Sequence, residues 1–360
     1  MPRSVGTSGT LGRPAPSRAW PLVLLLALIL SAGCHRSPPL VERQFFAMGT
    51  LVTVSVYGTP QARAERAIAR SERLFDRLDR RWHAWHPSAL TRMDAALAAG
   101  RSIPIPPDLA RLVREAGRLS RLSDGLFDPA LGQLLALWGF EGDDLPARPP
   151  PAASIQQLLA RHPSMSDLVL EEGRIRSRNP AVRLDFGAYA KGVAVDRAID
   201  LLRSLGIRNA IVNAGGDLRA IGRHGARAWR IGIRNPDGPG VIAWLEVEGD
   251  QAVFTSGDYE RYFSWHGKRY HHILDPRTGY PARGSRSVTV LAKHGGLADA
   301  AATALFVAGP DGWYPIARAL GIHYVMLVDD HGRVHMNPRM ARRIHFPAGR
   351  TPEVKLSPAL

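Results

Sequence analysis

Between residues 206 and 292 the chain runs as short stretches rich in Val, Ile, Phe and Trp, near 210, 217, 230, 243, 253 and 287 to 292, parted by turns of Gly, Asn, Asp and Pro. A parallel pair of strands needs a crossover of about a dozen residues or more, usually a helix, and few of these stretches are followed by one. The centre of the molecule therefore reads as strands joined by tight turns. Helical spacing flanks it. Ala67, Ile68, Leu74, Phe75 and Leu78 share one face of a basic segment ending near Arg81, and further helices are expected at about Asp108–Leu122, Pro129–Trp138, Tyr189–Leu205, 297–307 and 311–320. Gly206 supplies the C-cap of the Tyr189–Leu205 helix. The fold class expected is α+β, a mixed, mainly antiparallel sheet with flanking helices. Smaller expectations are a strand from Gln44 interrupted at Met48-Gly49, a hairpin over 168–185 turning at Glu172-Gly173, a loop over 82–94 and a Pro-rich connector from Leu145 to Pro151.

One apolar run stands apart, LVLLLALIL from Leu22 to Leu30. Nine residues are too few for a helix to cross a hydrocarbon core of about 30 Å, which excludes a multi-pass membrane protein. Arg3, Arg13 and Arg18 precede the run and Ser31-Ala32-Gly33 follow it, the layout of a secretory signal ending before Cys34. Cys34 is the only cysteine, so an intramolecular disulfide or a cysteine metal cluster is excluded, and its readings are an incidental thiol or an attachment point. The SAGC stretch resembles a bacterial lipobox, with Leu30 one place earlier than usual. The resemblance implies lipidation at Cys34 and a bacterial cell-envelope location, lipid-anchored and facing the periplasm. The expected layout is a signal peptide over 1–33, a tether over 34–43, a catalytic-size domain over 44–336 and a basic, solvated tail over 337–360. Loss of the three N-terminal arginines lowers the net charge from +15 to +12, so the mature chain stays basic. Charge alone suits nucleic acid, anionic lipid or an anionic small substrate, and export argues against nucleic acid.

Dinucleotide-fold, P-loop, nucleophile-elbow and H-E-x-x-H signatures are absent, and four dense polar clusters remain. In LDFGAYAKGVAVD, Leu184 to Asp196, a strand, a Gly turn and a helix start place free N–H groups beside Lys191, which suits an anion. The plain alternative makes Asp185 a cap and Lys191 a surface charge. In NAGGDLRA, Asn213 to Ala220, two glycines permit close backbone approach before Asp217, or simply turn a hairpin. The span from Thr255 to Ala282 gathers His271, His272, Asp275, Arg277 and Thr278 around a Pro276/Gly279 turn. His272 could serve there as a general base near neutral pH. In LADAAATALFVAG, Leu297 to Gly309, Asp299 and Thr303 stand four apart on an otherwise apolar helix. A buried carboxylate needs a partner. Hard oxygens without His or Cys suit Mg²⁺, and the alternative is a hydrogen bond from a neighbouring backbone N–H.

In this order the clusters resemble the ApbE family of FAD:protein FMN transferases. AMGT at Ala47–Thr50, GLFDPALG at Gly125–Gly132, TSGDYERYF, HHILDPRTGYPA and DAAATALFVAG complete the series. The resemblance implies an enzyme that transfers FMN from FAD to a Thr or Ser hydroxyl of a target protein through a phosphoester, releasing AMP. The acceptor would be a flavoprotein subunit of a membrane electron-transfer complex. It implies Mg²⁺ on Asp299, Thr303 and the Ala188 carbonyl, and an FAD site formed by Met48, Asp185, Lys191 and Ile273, with Trp85, Leu126, Phe127 and Asp128 as further contacts. His272 would deprotonate the acceptor hydroxyl, with Asp275 as the fallback. The loop from Trp82 to Asp94 departs from the family pattern by being one residue shorter. The same residues would serve a Mg²⁺-dependent FAD pyrophosphatase, and a non-catalytic flavin-binding or solute-binding lipoprotein is the reading from another class.

Overall fold

A computed structural model describes residues 40–360, apart from 143 and 350, together with residues 4, 6 and 9. Cys34 and the expected signal peptide lie outside the described residues.

Nine strands form the central sheet, and their order in space is their order in the chain. They are β1 (Leu40–Ala47), β2 (Thr50–Tyr57), β3 (Ala210–Ala214), β4 (Asp217–Gly222), β5 (Gly249–Gly257), β6 (Ser285–Ala292), β7 (Val325–Asp329), β8 (Val334–Met336) and β9 (Val354–Leu356). Every pairing is antiparallel except β8 with β9. The tight turns dictate this. Met48 and Gly49 both take positive φ (53° and 72°), as a two-residue hairpin loop requires, and Gly215 and Gly216 (67° and 101°) do the same between β3 and β4.

Three helices carry the site: α1 (Gln61–Trp82), α2 (Ala190–Ser204) and α3 (Gly295–Leu320). They cover one face of the sheet, where Val52, Val54, Val56, Val212, Phe254, Val288 and Val290 meet Ile68, Phe75, Ile199 and Phe306 in the main core. The opposite face carries the alternate residues Leu218, Ala220, Val253, Leu291 and Val328, covered by the hairpin Trp229–Arg234/Val241–Val247. Burial on both faces explains why β7, VMLVD, reads as a nearly unbroken apolar run. A third cluster packs Trp138, Phe140, Ile155, Phe263 and Leu274, and the Trp138 indole N–H donates to the Gly279 carbonyl at 2.8 Å. No described helix is long and apolar enough to cross a membrane.

The mainly antiparallel α+β expectation holds, and several boundaries differ. The strand expected from Gln44 begins at Leu40 and is a hairpin, so the tether ends before residue 40. The loop over 82–94 ends in a helix, Ala89–Ala98, started by Ser88 and Thr91 bonding each other's backbone N–H groups. The two helices expected near 297–307 and 311–320 are continuous but broken at Gly309 (φ 73°), before Pro310. The C-terminal residues expected as a solvated tail instead return to the sheet. Met340 is buried, Val354–Leu356 pair in parallel with β8, and the Tyr314 hydroxyl donates to the Ala359 carbonyl. Apolar residues two apart, Val354 and Leu356, are enough for an edge strand and too few to show as a pattern.

Candidate active site

A cavity of about 390 Å³ opens where the β1–β2 turn, the β3–β4 turn, the N-terminal ends of α2 and α3 and the segment 255–276 converge. Met48, Trp85, Leu126, Phe127, Asp128, Asp185, Ala188, Lys191, His272, Ile273, Asp299 and Thr303 all line it. Residues more than 200 positions apart in the chain thus share one wall.

The charged end is built on α2 and α3. Lys191 Nζ lies 2.5 Å from Asp217 Oδ2 and 4.0 Å from Asp299 Oδ1. Asp217 Oδ1 accepts the Thr255 N–H at 2.9 Å, so its carboxylate is held on both sides. Burial disfavours the Lys191 ammonium, but Asp217 and then Asp299 outweigh it and hold the group above the usual lysine range. Burial pushes the Asp299 carboxyl up to about 7, opposed by Lys191. Asp299 Oδ2 accepts the Gly192 N–H at 2.9 Å. That N–H would otherwise close the first turn of α2 on the Ala188 carbonyl, which is thereby left free of it. Thr303 Oγ1 shares a hydrogen bond with Ser256 Oγ at 3.1 Å. Among the described residues no three His, Cys, Asp or Glu cluster as metal ligands. The donors present are one buried carboxylate, one hydroxyl and one main-chain carbonyl, hard oxygens that fit Mg²⁺, which keeps several waters and takes few protein ligands.

Opposite stands His272. Its backbone N–H donates to the Arg261 carbonyl at 3.0 Å and its Nδ1 lies 3.3 Å from the same oxygen. A carbonyl only accepts, so this contact places the ring proton on Nδ1 and leaves the Nε2 lone pair free. Burial, only partly opposed by that hydrogen bond, lowers the His272 pKa from 6.5 to about 4, and the ring is neutral at physiological pH. His271 is different. Its Nε2 donates to the Ala282 carbonyl at 2.9 Å and its Nδ1 accepts the Ile273 N–H at 3.3 Å, which occupies both nitrogens inside the core.

Asp275 is not in the cavity wall. Its carboxylate takes the Arg277 backbone N–H and grips the Arg277 guanidinium at 2.9 and 2.8 Å, which locks the turn 275–279. The expectation of a fallback base there is replaced by a turn-forming role, because both oxygens are committed to one cation and one amide. Asp128 lines the cavity, but its carboxylate holds the chain, accepting from Ala130 N–H, Met165 N–H and Ser120 Oγ. Asp185 caps no helix. Its Oδ1 accepts the Gly187 N–H at 2.7 Å and its Oδ2 the Trp85 indole N–H at 3.1 Å, pinning the ring to the rim under the Arg261 guanidinium. The glycine pair of NAGGDLRA turns the hairpin, and a Cβ on Gly215 would lie 2.3 Å from Thr50 Oγ1, so the pair is accounted for by the turn and by its packing on β2. Asp217, Ser256, Glu260 and Arg261 complete the wall without having been singled out. Asp217 directly follows the glycine pair, and that proximity was the available signal.

A model of the ApbE family matches residues 48–326, the span that carries every element of this cavity. The chain belongs to the ApbE family. It is 43% identical over 344 residues to an FAD:protein FMN transferase of Rhodobacter capsulatus, covering 95% of this chain and 66% of that one. To an FAD:protein FMN transferase of Vibrio cholerae it is 35% identical over 325 residues, covering 86% of this chain and 94% of the other. Among solved structures, the ApbE protein of Thermotoga maritima superimposes with a TM-score of 0.78 at 33% identity, covering 85% and 99% of the two chains. The apo form of the Pseudomonas stutzeri flavinyl transferase ApbE gives 0.71 at 33% identity, covering 81% and 91%. The ApbE fold therefore accounts for the antiparallel sheet and for the convergence of these segments.

Proposed function

We propose that this protein is an FAD:protein FMN transferase that moves FMN from FAD to a Thr or Ser hydroxyl of a target flavoprotein, with release of AMP. The observation that carries the reading is the mixed lining of one cavity: the apolar and aromatic side chains of Met48, Trp85, Leu126, Phe127 and Ile273 share it with the group Lys191/Asp217/Asp299/Thr303 and with His272, whose Nε2 is free. A flat ring and a pyrophosphate are the two chemistries such a cavity accommodates.

In the proposed reaction the acceptor Oγ bonds to the phosphorus of the FMN half as the bridging P–O bond breaks, and the bridging oxygen leaves with AMP. The Oγ proton passes to His272 Nε2, which is available because the neutral ring keeps its own proton on Nδ1. Lys191 supplies fixed positive charge where phosphate oxygens gather, and Asp217 orients it. Asp299, Thr303 and the Ala188 carbonyl would hold Mg²⁺, whose chemistry is to neutralise pyrophosphate charge. Trp85, fixed by Asp185, offers a ring face for a heteroaromatic base.

The N-terminal sequence supports a cell-envelope lipoprotein anchored at Cys34 and facing the periplasm, with its acceptor in a membrane electron-transfer complex. Metabolic labelling with a fatty acid and cell fractionation test the anchor, and a Cys34→Ser chain that still labels would refute it. The reaction is tested by intact-mass measurement of an acceptor domain incubated with FAD, Mg²⁺ and the enzyme. An acceptor heavier by one FMN with matching AMP is expected. FMN and AMP with an unmodified acceptor would show hydrolysis instead, and unconsumed FAD under all conditions would refute catalysis.

A further inference from the structure

The metal-site residues proposed above sit on α3 and just ahead of α2, and a second, buried set of contacts joins those helices. Asp196 on α2 accepts the first two N–H groups of α3, Gly295 at 2.7 Å on Oδ1 and Gly296 at 3.1 Å on Oδ2. The residue in the N-cap position of α3, His294, makes no side-chain cap, so a carboxylate from another helix takes that part. In the reverse direction the Gly192 N–H of α2 donates to Asp299 on α3. Between these two links the helices touch backbone to backbone: a Cβ on Gly192 would lie 2.3 Å from the Gly295 carbonyl oxygen, and one on Gly295 2.7 Å from the Gly192 oxygen. Arg219, its side chain only 2% exposed, holds the clasp from below. Its Nη1 donates to Asp196 Oδ1 at 2.7 Å, while its Nε and Nη2 grip Asp250 at 2.8 and 2.9 Å.

We infer that Asp196, anchored by Arg219, is a positioning residue that sets the register of α3 against α2 and thereby the cation affinity of the Asp299/Thr303/Ala188 site. The inference rests on the metal reading under "Proposed function". The physical reason is that ligands on separate elements form a site only when those elements are locked: Asp196 holds α3 at Gly295, one helical turn ahead of Asp299, and on α2 it stands one turn after Gly192, whose N–H binds Asp299. Asp299 follows Gly295 by four residues, and Ala188 and Lys191 precede Asp196 by eight and five. A carboxylate holding two α3 amides and a guanidinium at once leaves α3 little freedom to slide.

The test compares full-length Asp196→Asn, Gly295→Ala and Asp329→Asn with the unaltered chain. Asp329 is a fully buried carboxylate in the β7–β8 turn, bonded to Arg333 and His335, and reports loss of stability away from the clasp. Mn²⁺ is titrated by electron paramagnetic resonance as a stand-in for Mg²⁺, and amide exchange is followed in metal-free protein. Asp196→Asn and Gly295→Ala should each weaken Mn²⁺ binding by about 10–100-fold, the range for residues that orient metal ligands. Both should speed exchange at the Gly192 amide, which donates to Asp299 and to neither substituted side chain, while Asp329→Asn lowers the melting temperature and leaves the Mn²⁺ dissociation constant in place. An Asp196→Asn protein with unchanged Mn²⁺ affinity and a protected Gly192 amide would overturn the inference. Should that variant not fold, the same result with Gly295→Ala would overturn it. An unaltered chain that binds no Mn²⁺ would instead refute the metal reading, a distinct outcome.

Discussion

Replacing Gly192 by alanine sets two effects of known size against each other. Glycine near the start of α2 costs helix stability, so alanine gains at most about 1 kcal/mol from propensity. Against this, the added Cβ would sit 2.3 Å from the Gly295 oxygen, 2.5 Å from its carbonyl carbon and 2.8 Å from the Gly296 nitrogen, where ordinary contact begins at 3.4 Å. All three atoms are backbone, so no rotamer change relieves the overlap and α3 must withdraw by about 1 Å. At that separation the Gly192 N–H bond to Asp299 and the Asp196 bonds to Gly295 and Gly296 are stretched past useful range. Hydrogen bonds to charged groups contribute roughly 1.5–3 kcal/mol each, so loss of two of the three exceeds the propensity gain and leaves a net destabilisation of about 2–5 kcal/mol. For a body of this size that is a fall in melting temperature of about 4–10 °C. Differential scanning calorimetry on the metal-free protein measures it without reference to activity. An alanine variant melting within about 1 °C of the unaltered chain, or above it, would refute the view that α2 and α3 meet backbone to backbone.

Four further outcomes follow from the titratable groups. Because burial lowers the His272 pKa to about 4, its base form is present above that pH, so at Mg²⁺ concentrations that keep Asp299 ionised kcat/KM should fall only as pH drops through about 4; an acid limb near 6.5 that does not move with Mg²⁺ concentration would place the base elsewhere. His272→Asn should reduce FMN transfer by about 10²–10⁴-fold with FAD binding retained, as read by flavin fluorescence. Asp299→Asn should abolish the Mg²⁺-induced rise in melting temperature and Mg²⁺-dependent turnover while the metal-free protein stays folded, and retained turnover would sink the assignment. Asp94 is a buried carboxyl beside Arg183, with Oδ1 on the Leu184 N–H and Oδ2 unpartnered, and burial raises its pKa to about 7. A carboxyl raised in the folded state favours the protonated form there, so its contribution is present below its unfolded value of 3.8 and is lost as pH rises through about 7. Asp94→Asn should therefore stabilise the protein at pH 8 by up to about 4 kcal/mol and have little effect at pH 4, and equal melting temperatures of the two proteins at pH 8 would refute it.

The antiparallel sheet was legible because its signals are local. Glu172-Gly173, Met48-Gly49 and Gly215-Gly216 are two-residue turns whose positive φ values are expected from turn chemistry, and each joins strands that pair with their chain neighbours. What was missed lacked such a signal. Ala89–Ala98 is started by Ser88 and Thr91 bonding each other's backbone, with Thr91 where the usual capping pattern has Glu or Gln. The closing strand Val354–Leu356 exists only because β8 presents it an unpaired edge, a fact about a partner 20 residues away.

The site divides along the same line. The motifs and the family resemblance they carry pointed to many of the residues that line the cavity, yet they had no means of separating Asp275 from Asp217. Each is an aspartate beside a glycine or proline turn with a cation in prospect. The difference is the identity of that cation. Asp275 meets Arg277, two residues away on its own rigid turn, and is spent there. Asp217 meets Lys191, 26 residues away on α2, because the β3–β4 hairpin carries it over the first turn of that helix. A carboxylate satisfied by its own loop is structural, and one satisfied across elements fixes a cation at the place where three segments meet. The same test sorts the histidines: His271 has both nitrogens bonded within 271–282 and is fixed in the core, whereas His272 spends only Nδ1, on the carbonyl of Arg261, 11 residues back. Its remaining lone pair is the one titratable function in that segment left to meet an acceptor hydroxyl.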